Sequence, residues 1–202
     1  MARKHLSLII KLSLVFSLVG AGVGCVAATS MPSFALLENS PKTHEDALSK
    51  VRRAPSLVEG YLIDIGAPMS FGSSSGADYS YYQIGIISKS YSDTLTPEVA
   101  FIRVFMTHTQ YQGQGHWNFP DRLTWRDKIL KGSETKGDVD CGSWGPNTTY
   151  CNFTESYDFD LSIADLDILG RWGGEMVLVG QDYTERLVIP SYYASALSES
   201  AH

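Results

Sequence analysis

His108, His116 and Asp121 stand within one stretch, HTQYQGQGHWNFPD, that holds two glycines. Two imidazoles and a carboxylate can ligate a catalytic zinc, which usually takes three protein ligands, or serve as acid and base in hydrolysis. The spacing argues against either, because no His-Glu-x-x-His or other close ligand pair is present. Only a hairpin tip would bring the two imidazoles together. A solvated loop after a central strand is the simpler expectation, and the zinc or hydrolase site stays as the alternative.

Three Asp-x-Asp pairs follow: Asp138/Asp140, Asp158/Asp160 and Asp165/Asp167. On a strand, residues two apart share a face, where a hard cation can bridge them. Asp158 and Asp160 are the weak metal alternative, since they already fit the polar side of an amphipathic strand. Asp165 and Asp167 fall on a helix, where residues two apart do not face each other. Tyr79, Tyr81, Tyr111, Trp117, Trp125 and Trp144 lie near Gly-, Ser- or Asn-rich segments and can make a stacking platform for a glycan, although aromatics also suit strands generally. Neither a Gly-x-Ser-x-Gly elbow nor a phosphate loop is present. No catalytic residue, metal or cofactor is therefore assigned.

The first thirty residues read as an address. Arg3, Lys4 and Lys11 precede a short apolar run, Leu12 to Val19, which passes into Gly20, Ala21, Gly22, Val23, Gly24 and then Cys25. A basic start, a short apolar core and a small-residue exit make a secretory signal. A membrane span would need about 20 predominantly apolar residues, and this run breaks down in glycine first. Ala21-Gly22-Val23-Gly24-Cys25 resembles the lipobox of bacterial lipoprotein precursors, with Gly22 where the strongest examples carry Leu. The resemblance implies removal of residues 1–24, palmitate and related acyl chains on Cys25, and a place in the cell envelope. With Val26 after the cysteine, it implies the outer membrane. Cleavage after Ala28 at Val26-Ala27-Ala28 is the rival.

Three cysteines leave one over after pairing. With Cys25 taken by lipid on the resemblance just given, Cys141 and Cys151 remain as a disulfide. Export permits oxidation, and Gly142, Gly145, Pro146 and Asn147 between them are turn-formers.

Composition bounds the rest. The chain has 202 residues, 44% hydrophobic and 19% charged, too apolar for disorder. Sixteen basic against 22 acidic residues give a net charge of −6, which excludes an ordinary nucleic-acid binder. Removing residues 1–24 takes three basic residues and no acidic ones, leaving 13 against 22, a charge of −9. Anionic lipid would repel such a body, so a lipid anchor would have to hold it.

The elements that position these groups are mainly β. Residues 25–56 hold Pro32, Pro41 and Pro55 without sustained periodicity and read as the lipidated N-terminus and a flexible tether, although Thr43 and Asp46 could cap a short helix. From residue 57 to 202 a single β-rich domain is expected. Val99 to Met106 is apolar on both faces, as in a central strand. Cys151, Phe153, Tyr157, Phe159 and Leu161 alternate with polar residues, Glu155 being the exception on the apolar side, and the disulfide sulfur is expected to point inward. Ser162 with Asp165 caps a helix ending at Gly170, and Met176–Val179 with Arg186–Ile189 makes a hairpin. Pro190 starts a last helix over Ser191 to Leu197. The expected fold is an antiparallel sheet or sandwich with two short helices, a β-rich α+β class. Its expected role is that of an exported, lipid-anchored binding or structural module whose partner is another envelope protein or a glycan.

Overall fold

The computed structural model describes residues 40–72, 79–91, 94–111, 117–143, 149–181 and 184–201. The chain is mostly β. In order come α1 (His44–Ser49), β1 (Arg52–Pro55), β2 (Tyr61–Ile65), β3 (Met69–Ser70), β4 (Tyr79–Tyr91), β5 (Thr94–Tyr111), β6 (Arg122–Trp125), β7 (Lys128–Ser143) and β8 (Thr149–Leu161). Then follow α2 (Ile163–Trp172), β9 (Gly174–Val179), β10 (Thr184–Ile189) and α3 (Ser191–Ser200). One antiparallel sheet runs β1-β2-β4-β5-β8-β7-β6-β9-β10, with β3 beside β4.

The sheet curls because β7 serves two neighbours in turn. Lys128–Lys131 pair with β6, and from Gly132 onward the strand pairs with β8. The two halves then face each other across one core. Tyr82, Ile84 and Ile86 from β4 and Ile102, Val104 and Met106 from β5 meet Leu123, Trp125, Leu178 and Leu187 from the other half. The Tyr82 hydroxyl donates to the Val188 carbonyl at 2.6 Å, tying β4 to β10. The apolar doubling of Val99 to Met106 has its reason here. β5 lies between β4 and β8, with Ile102 and Val104 in the core and Phe101 and Phe105 buried on the opposite face.

The helices close the open side of the core. Ser162 Oγ accepts the Asp165 N–H at 3.1 Å, so α2 begins at the expected cap. It does not end at Gly170. The helix runs to Trp172 and stops at Gly173, whose φ of 65° suits glycine. Gly170 instead permits close helix packing: a Cβ there would sit 3.3 Å from Ser195 Cα of α3. Among the described residues, three helices form rather than two. The third is α1, capped by Thr43 Oγ1 from the Asp46 N–H at 3.2 Å.

α1 and β1 also revise the assignment of residues 40–56 to a tether. Ala47 is buried in the core, the Tyr192 hydroxyl donates to the Pro41 carbonyl at 2.8 Å, and Arg53 makes two bonds to the buried Asp64 carboxylate. Proline and serine content alone misled, because a single buried alanine and a few long-range hydrogen bonds are enough to dock a short helix. The remainder of the expected tether and the signal, including Cys25, lie outside the described residues.

Candidate functional site

β5, β7 and β8 run on past the core, and His108 stands on that extension of β5. The residue opposite it on β8 is Phe153, and the two rings stack with centroids 5.1 Å apart. Trp117 meets Phe153 edge-on at 4.9 Å and lies near Phe119 at 6.3 Å. Residues 117–121 therefore cross the inner face of β8 as a strap.

Glu155 fastens the strap. Its Oε1 accepts the Asn118 N–H at 2.7 Å and its Oε2 the Phe119 N–H at 2.9 Å, in a residue only 1% exposed. A buried carboxylate needs such donors, because unpaired it would cost several kcal/mol (roughly 3–5). On the far side, the Gln181 N–H donates to the Asn118 carbonyl at 3.0 Å. A Cβ on Gly180 would collide with that carbonyl, so the close approach requires glycine there. His108 Nδ1 is 4.0 Å from Glu155 Oε1 and 3.4 Å from Asn118 Nδ2. The Asn118 amide can donate to that nitrogen only in the tautomer with its proton on Nε2.

The arrangement is a clip of carboxylate, imidazole and amide under a partly exposed aromatic edge. With both oxygens accepting strap N–H groups, Glu155 holds backbone. Phe119 is 44% exposed.

The structure treats the residues singled out from sequence unequally. It brings His108 to Glu155, and it puts Asp121 elsewhere: the Asp121 carboxylate pairs with Arg122 at 3.1 Å, both exposed. His116 lies outside the described residues. Asp158 is held by two 2.7 Å bonds from Arg103, its direct partner on β5, and Asp160 is exposed on the same face. Burial lowers the Arg103 pKa, but the Asp158 bonds and charge more than offset it, so the guanidinium stays above its ordinary value. Asp165 binds Lys128 and Ser162, and Asp167 accepts from Ser198 at 3.2 Å. Asp138 and Asp140 are exposed on β7. Among the described residues, no three His, Cys, Asp or Glu side chains are grouped to hold a metal ion.

The cysteines Cys141 and Cys151 are bonded, as direct cross-strand partners with Cα atoms 4.0 Å apart. Their sulfurs do not enter the core. Cys141 is exposed because the strands outrun the core by that point, although the alternation that put Cys151 on the inner face holds. Of the aromatics, Tyr81 and Trp125 are buried, Tyr79 and Trp117 are half-buried, and Trp144 lies outside the described residues, as does the Tyr111 side chain.

Glu155, Asn118, Phe153 and Arg103 are the residues that sequence reasoning passed over. Glu155 left a trace, as a charge on the apolar side of an alternating strand. Arg103 left one too, as the only charge in VAFIRVFM. Comparison with family models, with curated proteins and with solved structures finds no match to this chain.

Proposed function

We propose that this chain is an exported, lipid-anchored envelope protein whose β-rich body is a non-catalytic binding module. Its address is the signal-like run ending at Cys25, and its anchor the acyl chains that the lipobox resemblance implies. The observation that carries the non-catalytic reading is the Glu155 clip. The buried carboxylate nearest His108 has both oxygens engaged by the Asn118 and Phe119 amides. A general base needs an accepting oxygen or nitrogen within reach of substrate, and this carboxylate, 1% exposed beneath the strap whose N–H groups it holds, is out of reach.

One experiment tests both halves. The full chain is expressed in a bacterial host, and its membrane fraction is examined by intact mass. Loss of residues 1–24 with added acyl mass is expected, with release to the soluble fraction in Cys25→Ala. A soluble product starting at Thr29 would sink the anchor. Hydrolysis of ester, amide or glycoside probes that vanishes in His108→Ala would sink the non-catalytic half.

A glycan-binding reading has one observation in its favour. Trp117 and Phe119 stand partly exposed beside the Asn118 amide, and sugar recognition pairs an aromatic face with a polar group. Loss of oligosaccharide binding in Trp117→Ala would favour it.

A further inference from the structure

Past Lys131, β7 leaves β6 and keeps β8 as its one strand neighbour among the described residues. Its other edge, from Ser133 to Ser143, is open there. The phase of that edge follows from the disulfide pair. Cys141 and Cys151 stand opposite each other at the short Cα spacing of a non-hydrogen-bonded pair. Such residues direct their N–H and C=O away from the partner strand. Cys141, Val139 and Gly137 therefore present their backbone groups outward, while Asp140 and Asp138 spend theirs on β8. All residues from Lys136 to Cys141 are exposed. The disulfide staples one end of this stretch. The other ends at a bulge, where Thr135 Oγ1 lies 2.7 Å from Ser156 Oγ.

Charges on an edge strand usually oppose pairing. Here they select. Asp138 and Asp140 share one face with Lys136, so a second copy of this acidic chain gains little. Antiparallel self-pairing centred on Asp138 sets that carboxylate against itself while setting Asp140 against Lys136, and centring on Val139 sets Asp138 against Asp140. Centring on Gly137 sets Lys136 against Asp138 but Asp140 against Glu134 at the bulge, so each of these registers mixes or adds repulsion. Like charges directly opposite are destabilising. Toward an incoming strand, Asp138 and Asp140 occupy the non-hydrogen-bonded positions, where cross-strand side chains come closest.

We propose that the open edge of β7 is a strand-addition site for an extended segment of a partner protein with two basic residues spaced by one, set opposite Asp138 and Asp140. This rests on the binding-module reading and names its partner's chemistry. Backbone bonds to Gly137, Val139 and Cys141 supply the pairing, and Asp138 and Asp140 choose the sequence.

The probes are two short synthetic peptides, one alternating lysine with valine and one alternating glutamate with valine, added to the full chain in detergent. The lysine peptide should bind and slow hydrogen exchange at Gly137, Val139 and Cys141. Val139→Pro should weaken binding by roughly tenfold or more with melting unchanged, because the lost N–H points away from β8. Asp138→Asn with Asp140→Asn should also weaken it and flatten its salt dependence. Equal binding of both peptides, no binding, or binding indifferent to both variants would overturn the proposal. So would concentration-dependent dimers abolished by Val139→Pro. Membrane attachment and His108-dependent turnover read the broader proposal separately, so the two can fail independently.

Discussion

Glu155 Oε2 accepts the N–H of Phe119 at 2.9 Å, and Phe119 is held there at a φ of 45°. The left-handed region costs a non-glycine residue about 1–2 kcal/mol. A charge-assisted hydrogen bond contributes roughly 1.5–3 kcal/mol, enough to offset it. The buried carboxylate and the strained strap are thus one device, and each explains the other.

Glu155→Gln should loosen that device. The new amide group turns a donor toward one of two backbone donors, at a cost of about 1–3 kcal/mol. Hydrogen exchange at Asn118 and Phe119 should quicken, and Phe119→Gly in the same protein should recover part of the loss. Unchanged protection of both amides would show that the strap is held by other contacts.

Tyr193 lies fully buried, and its hydroxyl serves two backbone groups. It donates to the Ala67 carbonyl at 2.7 Å and accepts the Ile84 N–H at 3.2 Å. Tyr193→Phe leaves both buried backbone groups without their partner at once and should cost about 2–4 kcal/mol, measured by denaturant unfolding. A loss within error of zero would mean that water replaces the hydroxyl.

Asp165 sets an acid limit. Desolvation raises its pKa, but the bonds from Lys128 and Ser162 and the charges of Lys128 and Arg126 outweigh that and hold it below the ordinary carboxylate value. With the folded value below the unfolded one, this stabilisation is complete above the unfolded pKa of about 4 and fades as pH falls through the folded value. Asp165→Asn should be about 1–2 kcal/mol less stable at neutral pH, and the two proteins should converge in acid. Parallel stability curves down to strong acid would rule out this coupling.

Removing the disulfide should act locally. The chain-entropy treatment assigns about 2–3 kcal/mol to a loop of this length. Because Cys141 is exposed beyond the core, the effect of Cys141→Ser with Cys151→Ser should appear first as faster exchange at the β7–β8 tip. Core amides such as Ile102 should slow or hasten only with global stability. Uniform acceleration everywhere would place the bridge in the cooperative core.

The alternation from Cys151 to Leu161, the Ser162–Asp165 cap, the Pro190 helix start and the doubly apolar β5 were legible in the chain because each depends on residues within a turn or a strand of one another. Partner choice was not. Glu155 finds Asn118 across 37 residues, and Arg103 finds Asp158 across 55. Those meetings depend on strand register, which no local pattern contains. Asp121 was grouped with His108 by closeness in sequence, yet the strap turns its side chain toward Arg122. Ala47 and Arg53 left no signal strong enough to outweigh the prolines around them, since the contacts that dock them come from α3 and Asp64. The open edge of β7 was likewise decided only in three dimensions. Whether a strand edge is covered depends on how far its neighbour reaches, and β6 starts only at Arg122, opposite Lys131, leaving the rest of a far longer strand beyond it.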